Sequence, residues 1–389
     1  MSIALFDDHL RHVFLPLVFT KPLGRLRMGI MTMDQRWTTA TGHEVRFKSE
    51  EYLQPLFTPT QGGEVWVNAR LFPTSDIVQA FHALKAGEAW QYKGALLMHR
   101  CDEEVPTNAT EWTGEAPFIL NHITDLFSCN DRALRFDFQM LAQSGSSHIE
   151  ATTVIGPVDQ LFVHPSAKVT GAMINTSAGP VYIDEGAEVM EGALIRGPLY
   201  LGAHAQLKMG AKVYGATTIG PECKMGGEIS NCVVQGYSNK GHDGFIGNAL
   251  LGEWCNLGAD TNCSNLKNNY SAVQIFQYGT DAFIQTDLTF CGLIMGDHSK
   301  CGINTMFNTG TVVGVGANIF GGDFPDKHVP SFAWGGSDGW QEYDLDKMLQ
   351  TAALVMERRK MTLRPEMRAM LTEVFHRTAH YRTNAPQSQ

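Results

Sequence analysis

The chain has 389 residues, 43% apolar and 18% charged, with 30 Lys+Arg against 40 Asp+Glu for a formal net charge of −10. That length holds two or three domains around a large buried core, and that composition excludes a disordered chain. The acid excess argues against nucleic acid as a bulk electrostatic partner, and no apolar run approaches the ~18 residues of a membrane helix. The opening MSIALFDDHLRH carries acids where a secretory leader would carry Lys or Arg, so a cytoplasmic location is expected.

Residues 1–145 hold 9 of the 39 glycines and read as an α/β domain. The runs IALF (3–6), VWV (65–67) and ALLM (95–98) suit buried strands. Segments 76–86 and 120–128 suit helices, the first opened by Thr74-Ser75-Asp76 as a cap.

Residues 146–335 hold 28 glycines and carry a repeat. Stepping by six from Ile183 meets Val189, Ile195, Leu201, Leu207, Val213 and Ile219, all aliphatic. Four residues after most of them comes a small one (Ala187, Ala193, Ala205, Ala211, Thr217), with Leu199 the exception. Val163 and Val169, followed by Ala167 and Met173, extend the pattern upstream; Met295, Cys301, Phe307, Val313 and Ile319 extend it downstream. A helix needs apolar residues three or four apart and a lone strand needs alternation, so period six fits neither. It fits a β-solenoid, whose coils cannot bury their own apolar faces and therefore stack into a prism. Glycine is expected at corners that require positive φ. The tiling spans roughly 150–325 with an interruption near 175–182, and Gly226–Gly247 reads as a loop leaving the prism.

Residues 336–389 read as a helical tail. SDGW (337–340) looks like a linker, followed by two helices within 342–378. The first has a broad apolar stripe and ends on Arg358, Arg359 and Lys360, which complement its dipole; the second opens at Pro365. A tail capping the solenoid or a neighbouring subunit is expected. The eight cysteines, from Cys101 to Cys301, contain no C-x-x-C pair and read as small buried fillers in a reducing compartment.

Residues 236–271 are the most polar and asparagine-rich stretch. They read Gly241-His242-Asp243-Gly244-Phe245-Ile246-Gly247, then Gly252-Glu253-Trp254-Cys255-Asn256-Leu257-Gly258-Ala259-Asp260-Thr261, then Asn265. This resembles the acetyltransferase half of bacterial N-acetylglucosamine-1-phosphate uridyltransferases. The resemblance implies a left-handed parallel β-helix, acetyl-CoA as acyl donor, and an amino sugar or its phosphate as acceptor. It also implies a homotrimer with coenzyme A in the groove between neighbouring prisms. His242 would be the general base, a task that suits imidazole because its ordinary pKa lies near working pH. Asn256 would orient the reacting groups; Lys240, Asn265 and Lys267 would bind acceptor or acyl donor. A backbone N–H near Gly258-Ala259 would stabilise the oxyanion. The family's tyrosine three residues after the histidine is Phe245 here, and a lysine twelve residues before it is Ser230.

The run from Phe14 to Ile30, closing on Trp37, is joined by VNARLFP (67–73), SNLKNNYS (264–271), the segment 296–314 and VPSFAWGG (329–336). Together they resemble alternative GlmU-type proteins, which pair a short sugar nucleotidyltransferase-like domain with a hexapeptide-repeat β-helix. The resemblance implies binding of a sugar 1-phosphate or nucleotide sugar, or nucleotidyl transfer. The usual G-x-G-T-R phosphate loop is absent; Thr20, Lys21, Arg25, Arg27 and Gly29 are expected to replace it as a cationic cradle. Asp7 and Asp137 are expected to hold Mg²⁺ through carboxylate oxygens. A non-catalytic nucleotide-sugar-binding or scaffold protein is the alternative. A three-histidine zinc site of the γ-carbonic-anhydrase kind is disfavoured, since His148, His164, His204, His242, His298 and His328 include no close pair.

Overall fold

The computed structural model describes residues 2–62, 64–100, 106, 108–141 and 149–383. Cys101, His148 and the expected boundary at 145/146 lie outside the described residues. The N-terminal part contains β1 (Ser2–Phe6), α1 (Met33–Thr41), β2 (Glu44–Lys48), β3 (Val65–Asn68), α2 (Ser75–Ala83), β4 (Ala89–Tyr92), β5 (Ala95–His99), β6 (Thr110–Glu111), α3 (Asp125–Ser128) and α4 (Asn130–Leu141). The sheet order is β2-β1-β3-β5-β4-β6, with β1 parallel to both β2 and β3. All three expected strands are present. The helix expected over 120–128 is shorter, because the Asp125 carboxylate accepts from the N–H groups of Asn121 and His122 (2.7 and 2.9 Å) and turns the chain first. α4 was not foreseen, although its buried Ala133, Leu134, Asp137 and Phe138 sit at helical spacing.

From residue 149 the chain winds into a three-faced parallel β-solenoid. Face 1 runs through Gln206–Leu207, Lys224–Met225, Asn239–Lys240, Asn256–Leu257 and Lys300–Cys301; face 2 through Leu194–Arg196, Lys212–Tyr214 and Phe245–Gly247; face 3 through Leu199–Leu201, Thr217–Ile219, Val233–Gly236 and Leu250–Glu253. Val181 pairs with Leu199 and Leu199 with Thr217, so a regular coil is three sixes. The aliphatic ladder from Ile183 to Ile219 and its small partners are buried in one continuous core. Met173 breaks the rule and points outward, 43% exposed. Ile174 pairs with Ile195, so the interruption near 175–182 is a coil three residues long of the repeat.

Three expectations need correction. Gly226–Gly247 stays in the prism: Ile229 pairs with Ile246 and Met225 with Lys240, in coils a little shorter than eighteen residues. The chain leaves later. Leu250 pairs with Ile294, and between them Gln274–Gln277 and Ala282–Gln285 form an antiparallel hairpin. SDGW is not a linker but the turn of a second hairpin, Ala333–Gly336 with Gly339–Glu342. Glycine also does not own the corners. The column leading from face 3 into face 1 has positive φ at His204, Glu222, Tyr237, Trp254, His298 and Phe332 as well as at Gly186 and Gly316.

Face 3 is covered. Its outward Tyr200, Val233, Leu250, Ile294 and Val312 are buried. Ile30, Met31, Leu134 and Phe138 pack on Tyr200 and Ala216, while the 274–285 hairpin and the tail helices α5 (Leu345–Glu357) and α6 (Pro365–Arg377) join the same apolar cluster as the N-terminal sheet. The short α7 (Ala379–Thr383) follows.

The segment expected to cradle phosphate forms this seam instead. Arg27 and Gln235 exchange two hydrogen bonds, Arg27 N to Oε1 (2.6 Å) and Nε2 to Arg27 O (2.9 Å). The Thr218 hydroxyl donates to Gly29 O (2.7 Å), and Thr20 donates to Asp297 Oδ2 (2.6 Å). Lys21 is buried and ion-paired to Asp297 (2.9 Å) and Glu253 (3.1 Å). Burial pulls the Lys21 pKa down, but the two carboxylates outweigh it and hold it above the ordinary value of 10.5. The stabilisation is therefore complete below pH 10.5 and lost only as pH rises through the still higher folded value. Arg25 lies apart on the surface, paired with Asp34 (2.9 Å). Asp297→Ala should destabilise the protein by about 3–5 kcal/mol in denaturant titration at neutral pH, because it strands a buried ammonium. The double change Lys21→Met with Asp297→Leu should recover most of that loss.

Candidate functional site

Two clefts of small-molecule size lie on face 1 and at the carboxyl edge of the N-terminal sheet. On face 1 the outward residues Lys224, Asn239, Asn256 and Lys300 are successive rungs of one ladder and floor a cavity of about 670 Å³. One wall is the turn from face 1 to face 2, with Gly241, His242, Gly258, Ala259 and Ile303; the other is Tyr237 and Trp254. The C-terminal end of α5 closes the cavity with Val355, Arg358 and Arg359, and Lys208 borders it. Among the described residues, five cations and no carboxylate line this space. Burial, then the charges of Arg359, Lys208 and Arg358, push the Lys224 pKa below its ordinary value. Such a concentration of positive charge, of which Arg359 alone is ion-paired among the described residues, to Glu222, is the electrostatic signature of an anion site.

His242 is exposed, and its backbone is held from below. The buried Lys240 ammonium donates to the carbonyls of His242 (2.8 Å), Asp243 (3.1 Å) and Gly226 (3.2 Å). The next coil adds Asp260 N to Asp243 O (3.1 Å) and Asn262 Oδ1 accepting from Phe245 N (2.8 Å). Gly244 has φ +109°, and a Cβ there would meet Thr261 O at 2.2 Å, so this turn requires glycine. The Gly258 N–H is used by Cys301 O (3.1 Å), which leaves that of Ala259 without a partner among the described residues.

The structure thus brings His242, Asn256 and Ala259 to one cavity and leaves the other expected binding residues elsewhere. Lys240 is inside the coil as a support, with its pKa lowered to about 8 by burial. Asn265 donates to Asn248 Oδ1 (2.8 Å) where face 2 turns to face 3, and Lys267 donates to Ala272 O (2.7 Å) at the start of the insertion. Sequence reasoning missed Arg358 and Arg359 as cavity residues. Their only signal was a triple-basic helix end, which the helix dipole already explained. Arg359 fixes α5 on face 1 through Glu222 (3.3 Å) and Asn239 Oδ1 (3.1 Å), leaving Arg358 exposed beside it.

Neither expected metal ligand fits Mg²⁺. Asp137 is fully buried, bidentate to Arg36 (2.7 and 2.8 Å), and accepts from the N–H groups of Ile30 and Met31. Asp7 accepts from Arg11, Ser49 and Leu23 N, and burial raises its pKa. Both carboxylates are internal counter-ions or acceptors. No group of three metal-ligating side chains occurs among the described residues. Asp7 does border the second cleft, about 720 Å³, where β1 and β2 end. The six described cysteines from Cys223 to Cys301 that fill the solenoid are buried and unpaired, as expected, and burial raises their thiol pKa values. No helix is long and apolar enough to cross a membrane among the described residues.

Residues 3–146 match the sugar nucleotidyl transferase family. The chain therefore joins a sugar nucleotidyl transferase-like domain to a parallel β-helix and a helical tail. No curated relative matches the chain. Among solved structures, the polysialic-acid-specific acetyltransferase NeuO is 14% identical with a TM-score of 0.27, covering 51% of this chain and 85% of its own. The Arabidopsis UDP-N-acetylglucosamine acyltransferase is 16% identical with a TM-score of 0.23, over 62% and 90%. A mutant of AntD, an N-acyltransferase from Bacillus cereus in complex with dTDP and coenzyme A, is 9% identical with a TM-score of 0.20, over 55% and 90%.

The burial of Lys240 predicts a pH dependence. Its folded pKa of about 8 lies below the ordinary 10.5, so the unfolded chain holds the proton more tightly between those values. The destabilisation is complete below about pH 8 and fades as pH rises toward 10.5. Unfolding free energy should climb across that window in the native protein and lose this slope in Lys240→Met, measured by denaturant titration at several pH values.

Proposed function

We propose that the β-helix transfers an acetyl group from acetyl-CoA to the amine of an amino sugar or its phosphate, in the face 1 cavity. The observation that carries this reading is the placing of His242 over a floor and rim of five cations, with no carboxylate among the described lining residues. A phosphorylated acyl donor and acceptor bring several negative charges, and Lys208, Lys224, Lys300 and Arg358 can meet them. The amine nitrogen attacks the thioester carbonyl carbon while His242 takes a proton from it. The oxyanion that forms is stabilised by the Ala259 N–H. The C–S bond then breaks, the amide remains on the sugar, and the departing thiolate takes the proton from His242. Asn256, two rungs from Lys224 on face 1, orients the acceptor.

We propose a homotrimer as the working form. Face 2 carries exposed Met173, Leu194 and Tyr214, which suit a neighbouring prism. Asn265 and Lys267, on a different corner from His242, would then serve a neighbouring subunit's cavity. For the N-terminal domain we propose binding of a nucleoside phosphate or nucleotide sugar at the carboxyl edge of β1 and β2. Binding without transfer is favoured there because Asp7 and Asp137 already have protein partners.

Thiol release from acetyl-CoA with a panel of amino sugars and their phosphates tests the first reading. His242→Ala should lower kcat by roughly 10²–10⁴-fold with the fold intact; no release by the native protein above that variant would overturn it. The double change Lys224→Ala with Arg358→Ala should raise KM for acetyl-CoA or the sugar phosphate about tenfold or more, with a smaller effect on kcat. Light scattering should give three times the 42.9 kDa chain mass; a monomer would remove the shared site.

A further inference from the structure

We propose that the N-terminal cleft is a phosphate-binding site completed by the C-terminal tail, with Arg377 as a phosphate-binding residue supplied from the far end of the chain. This rests on the nucleotide reading of that domain. β1 has β2 on one side and β3 on the other, so the chain reverses direction across the sheet at β1. Ligands of open α/β sheets bind at the carboxyl ends of parallel strands beside such a reversal. The cleft lies there, between Asp7 and Asp8 after β1 and Lys48 and Ser49 at the end of β2. Its volume of about 720 Å³ is that of a small-molecule site.

The strand-derived wall is electrically balanced by itself. The strand-derived wall carries Asp7, Asp8 and Glu50 against Arg11 and Lys48. Buried Arg70 beneath it is bidentate to Asp8 (2.5 Å at the shortest) and brings the sum to zero. A nucleoside phosphate would find no net attraction in that wall alone. Arg377, the last residue of α6, adds a second guanidinium to the rim, its charge shared between Glu50 and Glu373. Its guanidinium lies 4.5 Å above the Tyr52 ring and donates to Glu50 Oε2 (2.9 Å) and Glu373 Oε1 (2.8 Å). The other Glu50 oxygen is 4.0 Å from Arg11. One carboxylate thus holds two guanidiniums from opposite ends of the chain on the rim of one cavity. A phosphate, with three acceptor oxygens, can engage both at once and release Glu50 to water.

Calorimetry on the full chain with each nucleoside triphosphate, alongside Arg377→Met, tests this; Met retains packing on Tyr52 without the charge. The variant should bind roughly tenfold or more weakly, the effect of losing charge-assisted hydrogen bonds, and Arg377→Lys should recover part of the loss. Coenzyme A binding at face 1 and the melting temperature should stay unchanged in both. Native-like triphosphate binding by a folded Arg377→Met overturns the inference alone. If Arg377→Met fails to fold, Glu50→Gln decides: it should bind at least as tightly as the native protein, and weaker binding overturns the inference. No binding by the native protein overturns the nucleotide reading itself.

Discussion

Face 3 of the solenoid cannot be left in water. Tyr200, Val233, Leu250, Ile294 and Val312 point outward from it, and all are buried. Fully burying side chains of this kind contributes about 1.5–3 kcal/mol each. Covering Val233, Leu250, Ile294 and Val312 recruits the N-terminal domain, the 274–285 hairpin and the tail into one cluster, while Tyr200 is covered by Ile30, Met31, Leu134 and Phe138. That single requirement decides what remains available for function. With face 3 covered, the two large clefts described above open on face 1 and at the carboxyl edge of the N-terminal sheet.

The seam shows how an ion pair specifies what apolar burial stabilises. Aromatic and aliphatic contacts between Phe138, Tyr200 and their neighbours favour docking without fixing its register. The Lys21 ammonium has good partners only where Asp297 and Glu253 meet, and Arg27 only opposite Gln235. These bonds draw the two domains into one alignment, and a buried charge misplaced by one rung would be left without a counter-ion.

The solenoid was readable because its signal is periodic and local: every coil repeats the demand for an inward aliphatic residue, so chance matches are quickly exhausted. The α/β character of the first 145 residues was readable from short apolar runs. The cradle was not. Thr20, Lys21, Arg27 and Gly29 look like phosphate ligands in sequence because the groups that hold phosphate also hold carboxylates and carbonyls across a domain seam. Only the three-dimensional partner distinguishes the two uses. Likewise His242 and Asn265 are close in sequence but belong to different corners, because a coil turns about a third of the way round in six residues. Arg358 is more than a hundred residues from His242, and Arg377 more than three hundred from Glu50, distances no local motif reports.

The 274–285 hairpin has a consequence for how such a protein can change. Leu250 pairs with Ile294 as though the intervening chain were absent, since the ladder needs only that the strand return in register. A solenoid therefore offers each corner as a place where new sequence can be tried without disturbing the coils above and below. Here the hairpin is tied in: Ile275 and Phe276 are part of the shared core, and Tyr381 of the tail hydrogen-bonds Asp281 at 2.7 Å. The hairpin could not be removed without first releasing the tail that leans on it.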